Sequence, residues 1–134
     1  MPLYSTALHP AYNNGGGVME YDVALTAATT TTGGAVLSLL NPFGVDVIII
    51  SSQVDIQTAA TTSTNTFDLG IAANGTTSND TLYDGQTTTT GLKTPGGTNG
   101  AVPRKLTSAQ YLTATASATL VGMVAILHIQ AVRA

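Results

Sequence analysis

The 134-residue sequence contains no cysteine and no tryptophan. Without cysteine the chain can form no disulfide bond and can do no thiolate chemistry, so the redox state of its compartment leaves no mark on the sequence. Aromatic residues make up only 5% of the chain. This low content argues against a flat aromatic platform of the kind that stacks on sugar rings.

Charged residues are also scarce, at 8% of the sequence compared with about 25% in typical soluble proteins. The net charge is −3 and only four residues are basic, whereas a nucleic-acid-binding surface needs a basic stripe. A nucleic-acid partner is therefore not expected. The surface must be solvated by Thr, Ser, Asn, Gln and Gly, which suits a protein packed against copies of itself or against a partner.

The sequence offers no convincing targeting or membrane segment. The first ten residues lack the positive and apolar regions of a secretory signal. Residues 120–132 are the most apolar stretch, but a membrane helix needs about 20 apolar residues, and His128 and Gln130 interrupt this one. We interpret the stretch as a buried final strand and expect no membrane partner.

The densest β-branched run, residues 45–56, predicts the central strand of the fold. Its apolar residues alternate with a period of two, which is typical of a strand. They are Ile48, Ile50, Val54 and Ile56 on one face and Val45, Val47 and Ile49 on the other. We expect the first half to be buried on both faces and the second half on one. Residues 120–132, apolar on both faces, should lie beside it.

About eight strands are predicted in all, with no convincing amphipathic helix. The further strands are residues 20–27, 35–40, 66–72, 81–84 and 111–117, separated by Gly, Asn and Pro turn signals. Parallel sheets need crossover helices, so these strands should pair antiparallel. The expected fold is all-β: one two-sheet, jelly-roll-like β-sandwich over residues 20–134. An immunoglobulin-like sandwich or a barrel is the alternative.

Residues 1–19 are predicted to form an extended arm, because prolines and a Gly-rich run forbid a helix there. Its sparse apolar residues need a surface on which to dock. They are Leu3, Tyr4, Leu8 and Tyr12. The arm lies along its own domain, reaches a neighbouring subunit, or is disordered.

Residues 86–102 contain almost no apolar side chains and are predicted to form a long loop that cannot bury a core. Such a loop is functional, ordered by a partner, or mobile. Lys93, Arg104 and Lys105 lie in or beside it, in an otherwise acidic chain. They make it the expected contact surface, with a plain solvated loop as the alternative.

No catalytic, cofactor or metal site is predicted. The two histidines are His9, in the arm, and His128, in the final strand, and both are expected to be structural rather than members of a Ser-His-Asp triad. Asp68, Asp80 and Asp84 are close in sequence and carry oxygens that suit hard cations. Their spacing matches no loop of consecutive ligands, so we expect turn-stabilising hydrogen bonds instead.

Residues 66–73 and 79–85 together resemble a pattern in small structural proteins of tailed-phage virions. In that pattern a strand leads through Thr and Ser residues to a Leu-x-Asp-Gly element, here Leu82-Tyr83-Asp84-Gly85. The resemblance covers about 20 residues and supplies no catalytic residues. It implies a capsid decoration, or cement, protein: a homotrimeric β-sandwich on the surface of the virion that clamps subunits of the major capsid protein.

Three other classes of function stay open. The chain could be a coat, tail or fibre component of a virion, a carbohydrate-binding or adhesin module, or a hydrolase whose site the sequence does not reveal. An adhesin should expose aromatic side chains, and Tyr4, Tyr12 and Tyr83 supply few candidates. The partner-binding residues predicted for the decoration protein are those of the arm and the basic loop.

Overall fold

The computed structural model describes residues 17–134, which form nine strands and no helix. Leu3, Tyr4, Leu8, His9 and Tyr12 lie outside these residues. The strands are β1 (Met19–Leu25), β2 (Gly34–Leu40), β3 (Val47–Thr58), β4 (Thr66–Ala72), β5 (Tyr83–Thr87), β6 (Gly91–Lys93), β7 (Arg104–Leu106), β8 (Tyr111–Ala116) and β9 (Val124–Arg133). Met19 is buried within β1, so the sandwich begins at the last residue assigned to the arm.

Two antiparallel sheets confirm the predicted sandwich. The five-stranded sheet has the order β1-β9-β3-β6, with β7 also paired to β3, and the four-stranded sheet has the order β2-β8-β4-β5. The pairs are nested along the chain: β4 with β5, β3 with β6 and β7, β2 with β8, and β1 with β9. A long hairpin rolled up in this way is a jelly roll.

The core lies between the two sheets and explains the alternating pattern of the sequence. Inward side chains of both sheets form one hydrophobic cluster, in which the rings of Phe67 and Tyr83 lie 6.3 Å apart. The largest fully buried members are Tyr83, Phe67, Ile49, Ile56, Leu69, Leu82, Leu106, Leu112, Leu120, Leu127, Ile129 and Val36. Their removal from water is the main source of stability.

A β-bulge in β3 corrects the expectation that its first half is buried on both faces. Val47 and Ile49 face the core, but the register with β9 shifts between Ile49 and Ser51. The extra residue, Ile50, is 40% exposed. Because a one-residue shift exchanges the two faces of a strand, the core-facing residues after the bulge are at even positions, from Ser52 onward.

The predicted pairing of the two most apolar strands is confirmed, since β3 lies beside β9 along most of its length. The expectation that the final strand is buried on both faces is wrong, because β9 is buried on one face only. Leu127 and Ile129 face the core, whereas Val124 is 49% exposed on the other face. Within residues 17–134 there is no helix long and apolar enough to cross a membrane.

The expectation that residues 86–102 form one long loop is corrected by the structure. The segment contains the end of β5 and all of β6, and the side chain of Thr88 is fully buried. Residues 94–103, here called the closing segment, pack on the chain before β5. Gly96 donates its N–H to the carbonyl of Leu82, and Ala101 donates to that of Thr81, at 3.1 and 3.0 Å. Glycine and backbone hydrogen bonding replace the apolar side chains that the sequence lacks.

Residues 73–81, here called the covering segment, lie across the outer face of the four-stranded sheet. Ser38 Oγ donates to the carbonyl of Gly75, and Thr113 Oγ1 donates to that of Thr77, both at 2.8 Å. Thr113 is buried as a result, although it points away from the core. The outer face of the five-stranded sheet has no such cover among residues 17–134.

Candidate functional site

The three basic residues that were predicted to bind a partner lie at one edge of the five-stranded sheet. Lys93 is in β6, and Arg104 and Lys105 are in β7, and both strands pair with β3. Lys93 is opposite Val54 and Arg104 is opposite Ile49, two core-facing residues. Directly opposed residues share a face, so Lys105 points to the outer face and the other two to the inner side of the edge. The three residues share an edge but form no single patch.

Lys93 and Arg104 make hydrogen bonds to their own chain. Lys93 Nζ donates to Thr89 Oγ1 at 2.7 Å. Arg104 donates to the carbonyls of Asn99 and Ala101, at 3.0 and 3.3 Å. Arg104 therefore helps to hold the closing segment in place, and its guanidinium has both a structural role and a position at the surface.

Lys105 forms an exposed ion pair with Asp46, with Nζ 3.6 Å from Oδ2. The backbone N–H of Ser108 donates to the same carboxylate at 2.8 Å. This hydrogen bond is the main cause that lowers the pKa of Asp46, and the charge of Lys105 acts in the same direction. An exposed pair of this kind adds little stability, so Lys105 can exchange its partner at small cost.

A polar groove that the sequence did not reveal runs over the outer face of the five-stranded sheet, with a volume of about 350 Å³. Two cross-strand rows of side chains form the groove. One row is Asp22, His128 and Gln53, and the other is Glu20, Gln130 and Ser51. The lining residues are Glu20, Asp22, Ser51, Gln53, His128, Ile129 and Gln130.

His128 belongs to this groove, which corrects its expected place inside a buried strand. Its side chain is 39% exposed, and its Nδ1 lies 2.8 Å from Asp22 Oδ1. Gln130 Nε2 donates to Glu20 Oε2 at 2.9 Å. No hydrogen bond joins His128 to Ser51 in the described chain, so the groove shows no activated nucleophile. Its carboxylates, amides and imidazole suit the binding of hydroxyl or amine groups.

The three aspartates considered for a cation accept hydrogen bonds from their own chain. Asp68 accepts from the N–H of Gly85 at 2.7 Å. Asp84 accepts from the N–H of Asn99 at 3.1 Å, and Asp80 accepts from the side-chain amide of Asn99 at 2.9 Å. No group of three or more His, Asp or Glu side chains suited to a metal occurs in residues 17–134. Asp80 and Asp84 hold the closing segment through Asn99, and Asp68 joins β4 to β5.

Tyr83 is fully buried and is not available to a ligand, in contrast to its consideration as an exposed aromatic. Its hydroxyl lies 2.9 Å from Ser52 Oγ, a pair that joins the two sheets through the core. Burial raises the pKa of Tyr83 to about 12. Its role is structural.

Comparison of the chain with known proteins finds no family model, no curated protein and no solved structure that matches. The fold, the polar groove and the basic residues at the sheet edge are therefore the basis for assigning a function.

Proposed function

We propose that the chain is a structural virion protein of the decoration type, which binds the outer surface of an icosahedral phage head as a homotrimer and stabilises it by bridging capsomers. The observation that carries the proposal is a helix-free sandwich whose surface is poor in charge, preceded by an N-terminal segment before β1. Such a surface suits many weak contacts repeated over a lattice, which add up to firm attachment. Catalysis plays no part in this function.

Fold-level analogy supports the proposal only in part. Jelly rolls occur in viral capsid domains and also in lectins, and a fold alone does not determine a function. The phage-like pattern in residues 66–85 is explained here by folding, since Asp68 binds the backbone of Gly85 and Leu82 fills the core. The pattern thus supports a local fold of residues 66–85 that is similar to the one in the phage proteins.

The proposed contacts with the head come from two regions. The N-terminal arm would engage a neighbouring subunit or the shell through Leu3, Tyr4, Leu8 and Tyr12. The edge of the five-stranded sheet at β6 and β7 would contact acidic groups of the major capsid protein or of a neighbouring copy, through Lys93, Arg104 and Lys105. Lys105 is the best placed of these, because it is exposed on the uncovered face.

The test combines the mass of the purified protein in solution with co-sedimentation on phage heads that lack their decoration protein. We expect a trimer that sediments with the heads. Lys105→Gln should weaken sedimentation, whereas Arg133→Gln, a matched loss of one exposed charge at the end of β9, should not. A monomer that stays in the supernatant with every head preparation would refute the proposal.

The polar groove favours a second candidate, a glycan-binding jelly roll. Its carboxylates and amides, among them those of Glu20 and Asp22, are suited to sugar hydroxyls. Among residues 17–134, no aromatic side chain lines it. A glycan array would test this candidate: binding that is lost in Asp22→Asn and kept in the surface variant Asp55→Asn would support it, and an array without signal would exclude it over the glycans tested.

A further inference from the structure

The two sides of the sandwich differ in how their strand edges are protected. On one side the closing segment packs against the start of β5, and glycines make the close approach possible. A Cβ on Gly97 or Gly100 would overlap neighbouring carbonyl oxygens. On the other side β1 and β2 end their sheets, and no strand of residues 17–134 lies beyond either of them. We call this second side the open side.

A cleft of about 420 Å³ separates β1 from β2 on the open side. Thr26 donates its N–H to the carbonyl of Val36 at 2.9 Å and so joins the two edges at one end. The lining is largely apolar and consists of Val23, Ala24, Thr26, Ala35, Val36, Leu37 and Ser38. Charged residues and prolines commonly prevent an exposed edge from recruiting another strand. The strands β1 and β2 contain no Lys and no Pro, and the two charged residues of β1, Glu20 and Asp22, lie outside the lining of the cleft.

Residues 3–8 of this chain have the composition that such a cleft would accept. They contain no Gly, Pro or charged residue, and they alternate Leu3, Ser5 and Ala7 with Tyr4, Thr6 and Leu8. Six extended residues span about 20 Å, which is close to the length of a seven-residue edge strand. An added strand would satisfy backbone groups at the edge and place alternate side chains in the cleft.

We propose that residues 3–8 of one copy dock in the open-side cleft of a neighbouring copy. The chain joins β1 at Met19, whereas the cleft lies at the other end of β1, at residues 23–26. A copy's own segment could reach the cleft only by turning back before Met19 and running along β1, whereas a neighbour's segment needs no such turn. The inference rests on the proposed function only for the side-by-side presence of several copies.

The absence of native cysteine permits a direct test by disulfide trapping. Chains carrying Ala7→Cys are mixed under mild oxidation with Ala35→Cys chains that bear a C-terminal tag of different size, and the products are resolved on a non-reducing gel. Ser5→Cys replaces Ala7→Cys in a parallel mixture to cover the other registers on the same face. We expect a linked heterodimer with at least one of the pairs. The matched control is Thr98→Cys, an exposed position in the closing segment, which should give no linked product.

Two results would overturn the inference. One is the absence of a heterodimer in both mixtures. The other is closure of the double variant Ala7→Cys/Ala35→Cys within one chain at high dilution, which would show that each copy binds its own segment. Linkage without head binding would refute the head assignment alone, and head binding without linkage would refute the segment exchange alone.

Discussion

Replacement of Tyr83 by Phe tests the buried hydrogen bond that connects the two sheets. The ring would keep its packing against Phe67, but Ser52 Oγ, in a residue that is only 3% exposed, would lose its partner at 2.9 Å. A buried polar group without a partner costs about 1–3 kcal/mol. We expect Tyr83→Phe to lower the free energy of unfolding by about 1–2 kcal/mol at pH 8, since a strand serine can turn its hydroxyl to another acceptor.

The same variant should behave differently in alkali. Because the pKa of Tyr83 is raised to about 12 in the folded protein, the unfolded chain loses this proton near pH 10 while the folded chain keeps it. The contribution of the phenol to stability is complete below pH 10 and is lost as the pH rises through 12. One pKa unit corresponds to about 1.4 kcal/mol, so the native protein should lose about that amount by pH 11. Tyr83→Phe has no such loss, and the two stability curves should converge there.

Urea unfolding followed by circular dichroism between pH 8 and 11.5 measures both effects. Tyr21→Phe, at a half-exposed site, is the control and should change stability by less than about 0.5 kcal/mol at pH 8. The double variant Ser52→Ala/Tyr83→Phe should be less damaging than the sum of the single variants. Parallel pH curves for the native protein and Tyr83→Phe, together with strictly additive single variants, would refute the buried pair.

Three further perturbations address other parts of the fold. Gly100→Ala should destabilise the protein by more than about 2 kcal/mol in urea unfolding, because its Cβ would overlap backbone oxygens. Gly96→Ala, whose Cβ would meet only the carbonyl oxygen of Thr94 at 3.8 Å, should cost under about 1 kcal/mol; equal costs would contradict the packing of the closing segment. Thr113→Val should cost about 1 kcal/mol and speed hydrogen exchange in the covering segment; unchanged exchange would count against this cover. The carboxyl of Asp46 should titrate below its ordinary pKa in NMR, so its contribution is present at neutral pH and is lost as the pH falls through the lowered pKa. Lys105→Met should raise that pKa only part of the way, because a backbone hydrogen bond is the larger cause; full recovery would reverse this ranking.

The alternation of apolar residues in the sequence was enough to predict the fold class. Residues 66–72 coincide with β4, and the pairing of β3 with β9 follows from the two most apolar runs. A chain with a period of two and no amphipathic helix can bury its apolar faces only between sheets. Composition likewise determined the low charge of the surface and the absence of cysteine.

The candidate site could not be predicted in the same way. The polar groove depends on the register of three strands that are far apart in sequence, since His128 meets Asp22 across 106 positions. The histidine looked buried because its neighbours in the chain are apolar, but every second residue of β9 faces outward. Local pattern alone does not identify the residues across a sheet.

The sequence by itself thus determined that this protein is an antiparallel β-sandwich, because burial of apolar residues is a local periodic signal. Only the tertiary structure decided the bulge at Ile50, the burial of Tyr83 and the ordering of the closing segment. It also decided that the outer face of the five-stranded sheet and the open side at β1 and β2 stay exposed. Each of these depends on backbone hydrogen bonds or close packing between distant segments. Such interactions are satisfied only when the whole chain is folded.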